Sequence, residues 1–334
     1  MKAIQVPKAG ADFDIIDREI PTPKDNEVLI KVEACGICHS DNMVKEGAMP
    51  GIEYPRVPGH EVVGIVDKLG KNVSQWKKGQ RVGVGWHGGH CFECEQCRRG
   101  NFINCENGKI CGISYDGGYA EYMTAPQEAV ASIPDELSSE EAAPLLCAGI
   151  TVYNAMRNSH ARAGDVVAIQ GIGGLGHLAL QYANKMGMRV VAISTSNSKK
   201  ELAKELGAHH FIATDNQDAV EELQKLGGAD LIVATAPHAD AISSVIDGLG
   251  VDGELICIGA TGDPVKVSPL QLLMARKSIS GWPSGTAIDS EDTLNFSAMS
   301  GTKPMIETFK FDDVEEAFKK MMDNKARFRV VLVP

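Results

Sequence analysis

Two rhythms of apolar and polar positions divide this 334-residue chain. Up to about residue 150, short apolar runs (28–32, 62–66, 81–84 and 119–123) stand between Gly, Pro and Asp turns. Runs of that length with turns between them predict a mostly β unit, barrel-like or sandwich-like. Met1-Lys2-Ala3-Ile4-Gln5-Val6-Pro7 reads as its first strand. From residue 165, β-branched runs alternate with helical segments: 166–170 then 174–185, 189–193 then 198–206, 210–213 then 218–226. The series continues with 230–234 then 239–249, 254–259 then 270–276, and a last strand at 278–282. Such alternation predicts βαβ units around a parallel sheet. Gly187, Gly207 and Gly227 fall where helix C-caps belong. Past about residue 285 the pattern loosens to a helix over 312–324 and a strand over 328–333 that returns to the first unit. The expected division is 1–149, 150–285 and a returning segment 286–334, with no internal repeat.

Composition narrows the function. Hydrophobic content of 43% and charged content of 23% belong to a globular chain. A formal net charge of -11 disfavours nucleic acid and anionic membranes as partners. The N-terminus lacks the apolar core of a signal peptide. The longest apolar stretch, 142–153, is broken by Pro144, Gly149 and Thr151 and is too short to span a bilayer. A cytoplasmic protein is expected. Nine cysteines, most of them in one short stretch, point to metal rather than to a disulfide framework.

Gly171-Ile172-Gly173-Gly174-Leu175-Gly176 follows a predicted strand and opens a predicted helix. In that context G-x-G-x-x-G signals dinucleotide binding. Gly171 permits the tight turn, Gly173 the approach of a pyrophosphate, and Gly176 the packing of helix on strand. The pyrophosphate would sit on the helix N-terminus. An acid about twenty residues further on would hold the ribose hydroxyls of NAD. Here stand Ser194-Thr195-Ser196-Asn197-Ser198-Lys199-Lys200 instead. Hydroxyls and ammonium groups can bind a 2′-phosphate that a carboxylate would repel. NADP is therefore favoured over NAD, although Lys199 and Lys200 also suit the start of a solvated helix.

Cys91, Cys94, Cys97 and Cys105 form C-x2-C-x2-C-x7-C. Four thiolates on one loop can close around a tetrahedral, structural zinc. Spacing alone also admits an iron–sulfur cluster, and a zinc ribbon for nucleic acid is disfavoured by the acidic chain. Cys35 and Cys38 make a C-x-x-C, a redox motif in other folds, but no thioredoxin-like βαβ unit is near it. Cys111 and Cys257 read as structural.

Cys35-Gly36-Ile37-Cys38-His39-Ser40-Asp41, Pro58-Gly59-His60-Glu61, the four-cysteine loop, Leu145-Leu146-Cys147-Ala148-Gly149 and the glycine turn occur in this order. The chain resembles, over essentially its whole length, the zinc-containing medium-chain alcohol dehydrogenases, including bacterial, yeast-like and cinnamyl-alcohol-dehydrogenase-like members. The resemblance implies a β-rich GroES-like catalytic domain with both zinc sites, and a Rossmann domain with a doubly wound parallel sheet. It implies two zinc ions per chain. Cys38, His60 and Cys147 match the ligands of the catalytic one, which leaves a fourth position open. Asp41 matches the carboxylate that orients the liganding histidine, Glu61 an acid close to the metal, and Ser40 the hydroxyl that takes the substrate proton. His39 matches a contact to the cofactor pyrophosphate. Where relatives often have a histidine ending the proton relay, this chain has Met43. Trp86 lines the substrate pocket or packs in the core, and Trp282 faces the cofactor or a subunit contact. The implied activity is hydride transfer between a small alcohol or aldehyde and NADP or NAD, in a homodimer or homotetramer. A zinc-free quinone or enoyl reductase, and a non-enzymatic metal-stabilised binding protein, are the alternatives.

Overall fold

The computed structural model describes residues 1–334. They form two compact units, Met1–Ile150 with Gly285–Pro334, and Thr151–Ser284.

The first unit is built on the long strand Glu27–Ile37. Lys31 and Glu33 alternate outward with buried Val32 and Ala34, the pattern of a sheet with one wet face. From Ala34 to Ile37 every residue is buried. This covered end delivers Cys38. Antiparallel partners on this strand are Val62–Leu69, Tyr122–Pro126 and the last strand, Arg329–Val333. Arg81–Val84, Val130–Ser132 and Ile306–Lys310 extend the seven-stranded sheet. The strand expected at 119–123 begins at Tyr122 instead. The Tyr119 main chain is committed elsewhere, its N–H donating to Pro58 O at 3.1 Å and its carbonyl accepting from Ile4 N at 2.8 Å.

The second unit carries six parallel strands in the order His210–Ala213, Arg189–Ser194, Val166–Gln170, Ala229–Ala234, Leu249–Cys257, Ser278–Gly281. This is the doubly wound arrangement expected, and its strand order reverses beside Val166–Gln170. That strand is buried at all five positions, as a parallel strand covered on both faces must be. Gly187, Gly207 and Gly227 take positive φ after their helices. The helix expected over 239–249 is shorter, Ala239–Ser244, because a 3-10 turn at Ile246–Gly248 feeds the next strand. The one expected over 270–276 is Pro269–Leu273.

Apolar periodicity missed the helix Ala287–Ser300. Its buried positions are Ser290, Thr293, Leu294 and Ser297, spaced i, i+3, i+4, i+7 as a packed face requires. Three of the four are hydroxyl residues. Thr293 Oγ1 donates to Asp289 O and Ser297 Oγ to Thr293 O, both at 2.7 Å, which satisfies them within the helix.

Candidate metal centres and cofactor turn

After strand Glu27–Ile37 the chain passes Cys38 and His39 into the short helix Asp41–Glu46. Ser40 is its N-cap, yet its hydroxyl makes no capping bond and lies 3.7 Å from Cys38 Sγ. His60 and Glu61 precede strand Val62–Leu69, whose Val62 pairs with Cys35. The antiparallel ladder thus carries the 60s to the 30s. Gly59 bends the chain there at φ 100°, and a Cβ on it would lie 2.5 Å from the Tyr119 ring. Only glycine fits that corner. Cys147 arrives from the π-helical turn Leu145–Gly149, after a helix started by the Ser138–Glu141 capping box. Such wide turns recur at functional sites.

Donor atoms of Cys38, His60, Glu61 and Cys147 all lie within 4.8 Å of one another. The Cys38 and Cys147 sulfurs are 3.8 Å apart. Zinc–sulfur bonds of about 2.3 Å at tetrahedral angles separate two sulfurs by about 3.8 Å. His60 Nδ1 lies 3.1 Å from Asp41 Oδ1, while its Nε2 is buried without a hydrogen-bond partner. An orphaned imidazole nitrogen facing two sulfurs fits a metal. Glu61 Oε2 is likewise buried and unpartnered, whereas Oε1 takes the Arg329 guanidinium. The Trp86 ring meets His60 edge-on, centroids 5.0 Å apart, and packs against the core of this unit. The core packing expected as one of its two roles is thus present. His39 is exposed and Met43 half-buried on the helix that follows it.

Sequence reasoning missed Arg329 and Tyr119. Arg329 comes from the far end of the chain, and Nη2 also donates to Ile37 O at 3.2 Å. The Tyr119 hydroxyl donates to Asp41 Oδ2 at 3.0 Å. No motif marks either, since both act through strand pairing and burial.

The electrostatics suit a cation. A hydrogen bond from Cys147 holds the Cys38 thiol well below the ordinary range, against burial and with help from His60. The same bond, then burial, pushes Cys147 up. Burial opposes charge on His60, yet Asp41 and Cys38 raise its pKa well above the usual value. Burial lifts Glu61 to about 7 against the pull of Arg329.

The second cluster is Cys91, Cys94, Cys97 and Cys105, also within 4.8 Å. Sulfur separations are 4.0 Å for Cys91–Cys97, 3.9 Å for Cys94–Cys105 and 3.6 Å for Cys91–Cys105. These match the edges of the same tetrahedron, and all nine cysteines are free thiols. Backbone N–H groups of Cys91, Cys94 and Cys97 point at Cys105, Cys91 and Cys94 sulfurs at 3.3, 3.4 and 3.5 Å. Hydrogen bonds from the Glu93 and Cys94 backbone, in that order, lower Cys91 to about 6. A cavity of about 1330 Å³ in this unit, lined by Trp76, His90, Phe92 and Phe102, contains none of these sulfurs.

In the other unit, Gly171 follows its strand at φ 91° and donates to Ile193 O at 2.9 Å. A Cβ on Gly176 would lie 1.9 Å from Gly171 O, so the helix Gly176–Lys185 packs too closely for any other residue. A Cβ on Gly173 would meet nothing within 4 Å. Gly174 and Leu175 complete the turn, half-buried. Ser194 ends the second strand half-buried and Thr195 is exposed. Ser196 caps the turn Asn197–Lys199 by accepting from Ser198 N. Lys199 Nζ reaches back to donate to Ile172 O at 2.6 Å, which sets an ammonium beside the glycine turn.

A dinucleotide-type sheet in one unit and two thiolate-rich donor sets in the other define a metal-dependent dehydrogenase. The chain matches the alcohol dehydrogenase GroES-like domain over residues 24–135 and the zinc-binding dehydrogenase domain over residues 174–300. It is 48% identical to the alcohol dehydrogenase patD of Penicillium expansum, over 97% of this chain and 94% of that protein. Among solved structures it superimposes on the Helicobacter pylori cinnamyl alcohol dehydrogenase complexed with NADP(H) at TM-score 0.88, with 27% identity over 99% of this chain and 97% of that one. An NAD-dependent alcohol dehydrogenase matches at TM-score 0.92, with 27% identity over the full length of both. The chain belongs to the zinc-type medium-chain alcohol dehydrogenase family. It is an oxidoreductase acting on alcohols and aldehydes, with zinc and a nicotinamide cofactor. That membership sets aside the zinc-free reductase and the non-enzymatic binding protein.

Proposed function

We propose that this chain interconverts small alcohols and aldehydes with NADP in preference to NAD, using two zinc ions per chain. The observation that carries the reading is the buried, unpartnered Nε2 of His60 beside two sulfurs at tetrahedral spacing. Cys38, His60 and Cys147 would hold the catalytic zinc, and Cys91, Cys94, Cys97 and Cys105 the structural one. When bound, the catalytic ion supplies a Lewis acid that draws electron density from the substrate oxygen. Asp41 holds His60 by Nδ1 and so aims Nε2. Ser40 takes the proton that the alcohol hydroxyl loses. Trp86 bounds the substrate. Glu61, one oxygen tied to Arg329, keeps an acid by the metal. Oxidation moves two electrons and a hydrogen nucleus from the carbinol carbon to the nicotinamide ring, leaving an aldehyde.

Gly171, Gly173, Gly174, Leu175 and Gly176 would cradle the pyrophosphate, and the resemblance adds His39 as a cofactor contact. The preference for NADP is supported by the absence of a carboxylate at Ser194, Thr195 and Ser196 and by the Lys199 ammonium nearby. A homodimer or homotetramer is supported by Val251, Leu270, Leu273 and Met274, each 64% to 77% exposed, on the same unit as the outermost strand Ser278–Gly281. No helix is long and apolar enough to cross a membrane. Cysteines clustered as metal ligands rather than as a disulfide framework support a reducing compartment such as the cytoplasm.

A panel of alcohols and aldehydes run separately with NAD(H) and NADP(H), alongside zinc analysis, tests the reading. Two zinc ions per chain and higher kcat/KM with NADP are expected. One zinc or none would refute the metal assignment, and a clear preference for NAD would refute the role given to Ser194.

A further inference from the structure

Asp41 is 1% exposed and takes three donors. Its Oδ1 faces His60 Nδ1 at 3.1 Å, while Oδ2 accepts from Cys38 N at 2.8 Å and from the Tyr119 hydroxyl at 3.0 Å. Two of these donors belong to residues of the catalytic metal set. The third is the only one from outside it. A buried carboxylate is costly to keep unless its lone pairs are used, and a charge-assisted O–H donor is among the strongest partners it can have.

Tyr119 is placed for this with little freedom. It is fully buried, and its N–H donates to Pro58 O at 3.1 Å, on the segment that leads into His60. Gly59 makes room for its ring, since a Cβ there would sit 2.5 Å from Cδ1. The Phe13 ring packs against it at 6.3 Å. A phenylalanine could fill the same space, so packing alone does not require the hydroxyl.

We propose that Tyr119 is a positioning residue for the catalytic metal. Its hydroxyl fixes the Asp41 carboxylate, and Asp41 holds the His60 ring by Nδ1 so that Nε2 stays turned toward the two sulfurs. Losing the direct partner of a liganding histidine commonly changes metal affinity 10- to 100-fold, and Tyr119 acts one hydrogen bond beyond such a partner, which sets its effect at the lower end of that range. The proposal rests on the reading that Cys38, His60 and Cys147 hold zinc.

The test is zinc release from the full-length holoenzyme to an excess of chromogenic chelator, comparing wild type with Tyr119→Phe. Cys38→Ser identifies which release phase belongs to the catalytic site. Tyr115→Phe is the control: this half-buried tyrosine packs against the same core, but its hydroxyl donates to Gly88 O at 3.0 Å. Tyr119→Phe is expected to speed the catalytic phase about tenfold, leave the Cys91 loop phase unchanged, and shift the absorption spectrum of the cobalt(II)-exchanged enzyme. Tyr115→Phe should leave the catalytic phase and that spectrum as in wild type. Unchanged release from Tyr119→Phe, or equal acceleration of both phases together with a thermal midpoint lowered as in Tyr115→Phe, overturns the proposal. A wild type with no metal at Cys38, His60 and Cys147 overturns the zinc reading and this proposal with it.

Discussion

Two glycines three residues apart in the cofactor turn should fail in different ways when replaced by alanine. At Gly176 the new Cβ would lie 1.9 Å from Gly171 O. An ordinary carbon–oxygen contact is about 3.3 Å, so helix Gly176–Lys185 must back off by roughly 1.4 Å. Overpacking of that kind costs about 1–3 kcal/mol. At Gly173 the Cβ meets nothing within 4 Å and φ is not positive. Gly173→Ala should therefore fold as well as wild type, or gain up to about 1 kcal/mol from the stiffer unfolded chain. Its methyl would project where a pyrophosphate has to approach the backbone. Loss of one hydrogen bond to a charged group, about 1.5–3 kcal/mol, corresponds to roughly 10- to 100-fold weaker binding. Thermal melts of cofactor-free protein and titration with NADPH by fluorescence separate the two effects. Gly176→Ala should lose both stability and affinity, and Gly173→Ala affinity alone. If Gly173→Ala melts as low as Gly176→Ala, or binds NADPH like wild type, the assignment of open space at Gly173 to the cofactor is wrong.

Cys97→Ser should lower zinc content from two ions per chain to one by atomic absorption. It should also destabilise the loop severely, since a structural zinc contributes on the order of 10 kcal/mol. Arg329→Met should cost about 3–5 kcal/mol in denaturant unfolding, because it strands the buried Glu61 carboxylate. Combined with Glu61→Gln it should cost less than the two single losses added, and strict additivity would mean the ion pair does not couple them. Ser194→Asp should move the ratio of kcat/KM values about tenfold toward NAD through repulsion of the 2′-phosphate, and an unchanged ratio would place cofactor choice elsewhere.

What the sequence by itself determined is what short stretches of chain can build. The glycine turn needs only a strand, six residues and a helix. The four-cysteine loop needs only donors within fifteen positions, tied by their own backbone N–H groups. The alternation of strand and helix announced the parallel sheet because burial on both faces leaves a near-continuous apolar run at its central strands Val166–Gln170 and Ala229–Ala234. The helix Ala287–Ser300 escaped for the converse reason: its packed face is made of Ser and Thr, which satisfy themselves on their own helix and look polar in sequence. Only the tertiary structure could show Cys38, His60, Glu61 and Cys147 converging as one donor set. Cys38 and Cys147 stand 109 positions apart, and Ile37 and Arg329 stand 292 apart. Arg329 and His60 come to Cys38 because antiparallel ladders on Glu27–Ile37 gather distant strands at one covered end, Cys147 enters on the π-helical turn Leu145–Gly149, and low dielectric there makes each charge find a partner. Hydrogen bonds and ion pairs of that range leave no period in a sequence, so Tyr119 and Arg329 became visible only once the sheet had formed.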